Sequence, residues 1–414
     1  MSAIMPLPPL RNVDVSSLEH EGRTVVCLRD PEGYVDAQLV LTPEAFFIAA
    51  QLDGTADVRD IQYTCAKQFG GQIIPSEDIL RVVNCLDEQG FLVSERFEAI
   101  RKEIDRTFAE SEVRLPALAG KTYPDNPDEL RTFLDQLFTK EGGPGRTPEK
   151  THGTGAPPKC LVVPHIDFDR GAAAYAHGYL HMADAVPPDV ALIFGVAHSS
   201  GAVPFILTKK SFGTPFGTLE TDQDVVAKLE SVCQWPPYES ESVHRSEHSI
   251  EFQALMLAYL FGTKVRIVPI LCAAFSDEPD KWDTPADDPH IRAFLDTCRD
   301  VVAQHVARVV VIAAADLAHV GRRFGDDFDI DARVVARVEA RDREDLARVA
   351  AMDAEGFYRS VMKDHNARQV CGLYCIYSAL RSVDGAAERG QLLHYGYAPD
   401  PAGGIVSFAS LVLS

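Results

Sequence analysis

Three histidines stand just beyond apolar, strand-like runs. His165 follows LVVP, with Asp167 two residues on; His198 follows ALIFGVA; VVVIAAA leads to Asp316 and then to His319 in DLAHVG. The chain has only 13 histidines. Three at similar offsets from three strand ends are better explained by one shared site than by scatter. Open α/β sheets collect ligands at the carboxyl ends of their strands. Neutral imidazoles on such a rim serve as ligands for a transition metal, or as a general base beside one. Two histidines with one anionic ligand and open positions suit a divalent metal that takes substrate directly. The anionic candidates are Asp316, Glu247 and Cys371. A cysteine would bind as thiolate, which changes metal preference and redox behaviour.

Other residues of the right type need weighing. His177 and His181 lie four apart in AAAYAHGYLHMAD, a spacing that can bind metal. Their place down the helix from the strand end favours a wet or helix-capping face. His244 and His248 in ESVHRSEHSIEFQ are also four apart, just before an apolar helix. Ser246 and Glu247 read there as capping residues, and such a helix start also aims donors into a site. We assign His248 to the site and leave His244 open. Cys371 reads as the opening residue of a helix, CGLYCIYSALRSV. The helix dipole would lower its pKa and favour a reactive or metal-bound thiolate; the alternative is a buried small hydrophobe. Cys272 and Cys375 read as packing residues.

The elements that must position these residues form two regions. From Lys159 onward, strand and helix alternate. Strand candidates are 160–164, 190–196, 203–208, 265–271, 308–315, 392–398 and 404–413. Helical runs such as GAAAYAHGYLHMADA, SIEFQALMLAYLF and CGLYCIYSALRSV lie between them. This pattern predicts an α/β domain, 111–414, with a mostly parallel central sheet flanked by helices. Residues 141–158, rich in Gly, Pro and Thr, are expected to form a mobile surface loop.

Residues 1–110 differ. A short strand at 35–42 precedes three helical stretches closed by Gly54, Gly70 and Gly90. Thr42 and Ser76 stand where N-caps belong. A strand, FLVSE, is expected after the third helix, giving a small winged-helix-like domain; 95–112 is a charged linking helix. The third helix carries Glu77, Asp78, Asp87 and Glu88 against one Arg81, which is poor chemistry for phosphate contact. A peptide-binding or structural role fits better than DNA binding.

Composition narrows the classes further. With 40 basic against 61 acidic residues the formal net charge is −21, the wrong sign for nucleic acid or anionic lipid. No apolar run reaches the length of a membrane span. MSAIMPLPPLRNVDV lacks the basic start and apolar stretch of a signal peptide. Nine dispersed cysteines without CxxC point to a reducing, cytoplasmic location.

Several strings, in order, carry a family resemblance: RLPALAGKTYPDNPDELRTFLDQLF (114–138), VPHIDFDRGAAAYAHGY (163–179), FGVAHSS (194–200), TPFGTLETD (214–222), EHSIEFQ (247–253), VRIVPIL (265–271), ADLAHVGRRFG (315–325) and VCGLY (370–374). Over residues 113–414 they resemble the MEMO family, also described as protein B of the AmmeMemoRadiSam system. That family is similar in fold to LigB-type extradiol dioxygenases, non-haem iron enzymes that open catechol rings. The resemblance implies His165, His198 and Cys371 as metal ligands, His319 as acid/base with Asp316 beside it, and His248 contacting substrate or bound oxygen. It implies Fe(II), with copper or zinc as alternatives. Cys371 stands where the related dioxygenases use a carboxylate, a departure from ordinary extradiol chemistry. HIDFDRG also departs from the family's usual run, adding Asp167 and Asp169 as either second-sphere or turn residues. Residues 25–98, through LTPEAFFIAAQLDGTADVRDI and CLDEQGFL, resemble PqqD-like domains, which dock leader peptides.

Three functions follow as expectations. The first is an oxygen-dependent or redox metalloenzyme acting on a small-molecule or peptide substrate. The second is a non-catalytic metal- or peptide-binding partner of a radical SAM protein. The third is a hydrolase with Cys371 as nucleophile and a histidine base. The sequence carries no signal for oligomeric state.

Overall fold

Runs of four to ten residues, apolar but for Ser407 and Ser410, build the main sheet. CLVV, VALIFGV, VVVIAA and GIVSFASLVL are buried at every position, as strands covered on both faces must be. The structure is a computed structural model that describes residues 5–20, 22–149, 153–199, 203–276, 278, 281–304, 308–400 and 402–414. The chain divides into two compact units, Met1–Glu110 and Ser111–Ser414.

The first unit contains strands β1 (Asp14–His20), β2 (Arg23–Arg29) and β3 (Leu39–Leu41) in one antiparallel sheet, in that order. Helices α1 (Pro43–Ala49), α2 (Val58–Gln68), α3 (Ser76–Glu88) and α4 (Glu95–Glu110) follow. Leu28, Ile48, Ile61, Ile79, Leu86 and Phe91 are fully or almost fully buried in its own core. Two expectations are corrected here. Thr42 does cap α1, accepting from Ala45 N, but Ser76 lies inside α3 and Pro75 takes the cap position with no side-chain bond. FLVSE forms no strand; Leu92 makes a single bridge to Leu10. The sheet is built instead by the earlier hairpin of β1 and β2.

The second unit opens with β4 (Val113–Arg114), α5 (Pro127–Thr139), β5 (Cys160–Val163), α6 (Phe168–Ala183) and β6 (Val190–Val196). Next come β7 (Phe205–Leu207), β8 (Ser211–Thr214), β9 (Gly217–Leu219), α7 (Gln223–Val232), α8 (His248–Phe261) and β10 (Arg266–Cys272). The chain closes with α9 (Pro289–Gln304), β11 (Val309–Ala314), β12 (Asp316–Gly321), α10 (Ala332–Ala350), α11 (Ala354–Met362), α12 (Leu373–Ser382), β13 (Gly390–Asp400) and β14 (Gly404–Leu413). Among the described residues, 141–149 and 153–158 contain no helix or strand; 150–152 lie outside them.

The main sheet has the order β12-β14-β5-β11-β6-β10-β7, with β13 paired to β14. Its four middle strands, β5, β11, β6 and β10, run parallel, and the flanking pairs are antiparallel. Alternate strand residues face two separate cores, the period-two rule of a pleated strand. Leu161, Val163, Ile193 and Ile312 pack with α5, α6 and α8. Val162, Leu192, Phe194 and Val311 pack with α7, α9, α11 and α12. Helices therefore cover both faces, as expected for an α/β domain.

Candidate metal centre

The strands β5, β11 and β6 are parallel neighbours. Each carries a polar residue two positions past its last strand residue: His165 after Val163, Asp316 after Ala314, His198 after Val196. Neighbouring strands in register bring equal offsets to one end of the sheet. The start of α8 supplies the fourth member, His248, as its first helical residue. The ring centroids of His165, His198 and His248 are 4.8 to 5.4 Å apart. One ring nitrogen from each lies within 4.8 Å of the other two.

The second ring nitrogen of each histidine is already engaged. His165 Nδ1 is 2.9 Å from the Ala314 carbonyl and donates to it. His198 Nδ1 is 3.0 Å, and His248 Nδ1 3.2 Å, from the same carboxylate oxygen of Glu247. A ring that keeps its proton on Nδ1 toward such an acceptor is left with Nε2 as the atom that can bind a metal, and His198 reaches that state by giving up its second proton. Glu247 is itself placed by local structure. It caps α8 by accepting from Ser249 N, and it also accepts from His198 N. Ser249 Oγ bridges back to Val196 N and O, tying the helix start to the end of β6.

The electrostatics match a site prepared for a cation. Burial opposes charge on Glu247, but His198 and His248 outweigh it and hold the carboxylate well below its usual range. Burial likewise opposes charge on His198, yet Glu247 and Cys371 raise its pKa well above the usual value. Burial drives His165 down strongly, and His248 down to about 4. The Glu247 charge is thus balanced by a cation held at His198; a metal ion would replace that proton.

Cys371 joins this group from the far side. Its Sγ lies 3.4 Å from His165 Nε2 and 3.8 Å from the Asp316 carbonyl. The sequence expectation that it opens a helix is corrected: α12 starts at Leu373, with Gly372 as its cap. Burial raises its pKa, against lowering by a hydrogen bond with His198. Asp316 is 2% exposed. Its Oδ1 accepts from His165 N and Ile166 N, and Oδ2 lies 3.5 Å from His165 Nε2. Burial pushes its pKa up to about 7, opposed by those two N–H groups. His319 stands on β12, in a strand of its own; its Nδ1 donates to Leu317 O, and burial lowers its pKa to about 4.

His165, His198, His248, Asp316 and His319 line a cavity of about 360 Å³, and Glu247 and Cys371 stand behind its surface. Its walls include Leu118, Phe252, Phe324 and Val406, with Arg170 and Arg323 also lining it. The wall formed by Leu118 is anchored from behind. Buried Glu251 accepts from Arg114, from Ala117 N and Leu118 N, and from Tyr123 Oη.

The remaining candidates lie outside the histidine cluster. His177 Nε2 contacts the Gly142 carbonyl and its ring stacks on His394. His181 is exposed, and neither joins the three-histidine cluster. His244 is buried with Nε2 on the Ile206 carbonyl. Asp167 caps α6, pairs with Arg170 and lines the same cavity, while Asp169 pairs with Lys140. Cys272 and Cys375 are buried in the core beneath the sheet. The sequence reading missed Phe252, although its spacing of four from His248 puts both on one helix face.

The parallel sheet end, the histidine cluster and the cavity define an α/β protein with a candidate metal site. A profile of the Memo-like protein family matches residues 114–412. A "MEMO1 family protein" of Aquifex aeolicus is 28% identical over 387 residues, 93% of this chain and 95% of its own length. One of Methanopyrus kandleri is 29% identical over 311 residues, 72% of this chain and 98% of its own. The chain belongs to the Memo-like protein family. The Aquifex match is longer than the Ser111–Ser414 unit, so it extends into the N-terminal unit.

Proposed function

We propose that this Memo-family chain is a non-haem metal protein, and that its centre supports oxygen-dependent or redox chemistry of the kind found in extradiol dioxygenases. The observation that carries this reading is the shared orientation of three imidazoles. Each has Nδ1 beside an oxygen acceptor, and one ring nitrogen of each lies within 4.8 Å of the other two. In the proposal His165 and His198 hold the metal, with Cys371 as thiolate ligand; His248 is the third imidazole at the same place. This donor set suits Fe(II), with copper and zinc as competitors. A bound metal would supply Lewis acidity and a site for a substrate oxygen or dioxygen.

The chain's own residues then have defined tasks. Glu247 orients two rings at once. Asp316, with a pKa near neutrality, holds or releases a proton beside His165. His319 accepts a proton at Nε2 from the other part of the cavity wall. Leu118, Phe252 and Phe324 exclude water from a small substrate.

Metal content after anaerobic purification tests the reading, in the wild type and in His165→Ala, His198→Ala, His248→Ala and Cys371→Ala. About one metal per chain, lost in His165→Ala and His198→Ala, is the expected result, followed by oxygen uptake on a catechol panel. A wild type that takes up no iron, copper or zinc on reconstitution overturns it. Loss in His248→Ala but not in Cys371→Ala would replace the thiolate with a third imidazole.

A second reading is a peptide-binding partner of a radical SAM protein. It is supported by the N-terminal unit, which has a core of its own and leaves Val40, Tyr63 and Ile73 exposed. Binding of a labelled peptide library to the full chain, without oxygen uptake, would favour it. The hydrolase reading is weakened: Cys371 has a histidine within reach, but burial raises its pKa. A cytoplasmic location is proposed from nine unpaired cysteines.

A further inference from the structure

Cys371 belongs to neither helix nor strand, yet it must be held still to serve the centre. The segment that delivers it has unusual backbone geometry. His365, Asn366 and Gln369 have φ of 55°, 55° and 50°. Left-handed backbone at a side-chain-bearing residue costs free energy, and three such residues within five positions persist only where neighbours over-determine them. Part of the restraint is local. Asn366 Oδ1 accepts from Val370 N, and its Nδ2 donates to Val370 O. The rest comes from Arg368, which points the other way, into the protein.

The Arg368 guanidinium is buried and donates to two carboxylates on α10, through Nη1 to Asp342 and through Nη2 to Asp345. Those carboxylates are 1% and 2% exposed. Each is held by a further group. Asp342 accepts from Tyr395 Oη and Ser407 Oγ, and Asp345 accepts from Ser360 Oγ. Ser407 Oγ also accepts from Ala318 N, next to His319. Finally, the Arg368 carbonyl accepts from His319 N at 2.8 Å. One residue therefore ties its own backbone to His319 on one side and stands three positions from Cys371 on the other. A buried ionic cluster is poor value as stability, because desolvation offsets attraction and apolar residues of like volume do as well. What it provides is a fixed geometry.

We infer that Arg368 is a positioning residue that sets the Cys371 thiol and His319 against the three-histidine centre. It acts through the left-handed segment 365–369. The inference builds on the proposed metal centre only in its second test.

The first test uses metal-free full-length protein and iodoacetamide, with alkylation of each cysteine followed by mass spectrometry. Arg368→Lys keeps the charge but replaces the planar fork that reaches both carboxylates with one ammonium on a shorter, flexible stem; Asp345→Asn removes the charge of one anchor and keeps its shape. Both variants should alkylate Cys371 about tenfold faster than wild type, equivalent to ~1.4 kcal/mol of lost restraint. Cys375 and Cys298, buried in the core, should stay protected, which excludes general unfolding. Rates within twofold of wild type in both variants, or parallel acceleration at all three cysteines, overturn the inference. The second test loads the chain with Co(II) and reads its thiolate charge-transfer band. A band present in wild type and reduced in Arg368→Lys, at equal Co(II) content, is expected; an undiminished band overturns the inference. No band in wild type, with selective alkylation still accelerated, removes Cys371 as a ligand and leaves the positioning role standing.

Discussion

The Glu247 carboxylate sits 3.0 Å from Nδ1 of His198, and the same oxygen is 3.2 Å from Nδ1 of His248. One carboxylate oxygen therefore faces a ring nitrogen of both histidines. Glu247 does so from a helix cap, where Ser249 N and His198 N complete its hydrogen bonds. Glu247→Gln keeps the shape but offers only one acceptor atom. Metal affinity, measured by competition with a chelator, should fall by roughly 10- to 100-fold. Unchanged affinity would mean that the rings are oriented by packing alone.

Gly195 on β6 has no room for a side chain. A Cβ there would meet Ile250 Cγ1 and Ser249 Oγ at 2.6 Å. Gly195→Ala should push the start of α8 off the sheet, at a cost of about 1–3 kcal/mol. Because that helix start carries Glu247 and His248, metal affinity should fall with it. Denaturant unfolding and chelator competition on the same sample check both effects.

Glu251→Gln removes the charge facing buried Arg114. Breaking a buried pair on one side costs about 3–5 kcal/mol, visible as a large fall in the unfolding midpoint. Removing the exposed ion pair of Arg106 with Glu103 should leave the midpoint in place, since such pairs are screened by water.

Acid sensitivity has a source outside the centre. His244 is 1% exposed, and burial lowers its pKa to about 3 from an ordinary 6.5. Between those values the unfolded chain takes up a proton that the folded chain refuses. Stability therefore falls as pH drops from 6.5 towards 3, by up to about 1.4 kcal/mol per pH unit for this group. His244→Gln keeps a donor for the Ile206 carbonyl and does not titrate. Its unfolding free energy should fall less steeply than that of wild type over this window; parallel curves would refute the assignment.

Metal should also stabilise the fold, because the unfolded chain lacks the site. At a free metal concentration 100 times the dissociation constant the gain is about 2.7 kcal/mol. Thermal unfolding should shift upward with added Fe(II) in wild type and stay put in His198→Ala.

Much of the centre was legible in the sequence, because buried parallel strands are unbroken apolar runs and their ends are easy to count from. His165, His198 and Asp316 were found that way. The start of α8 was found from EHSIEFQ, although Glu247's double grip on the histidines was not. Cys371 was misplaced because CGLYCIY reads as continuous helix; Gly372 N instead bonds to Asp316 O. β12 was hidden because DLAHVG begins two residues after β11 ends, with no turn residues between. β1, DVSSLEH, has too few apolar residues to show a period. Arg368 left no signal, since its partners lie over twenty residues away in sequence.

β14, Gly404–Leu413, is not an edge strand. It lies between β12 and β5, two strands that carry His319 and lead to His165. During synthesis β5 waits for a neighbour encoded about 250 residues later, and the contact of His165 with Cys371 already spans 206 positions. Such distant pairings form late and slowly. The pocket would therefore have to await β14: a chain without 404–413 would leave β5 and β12 with open edges and the cavity without its Val406 wall.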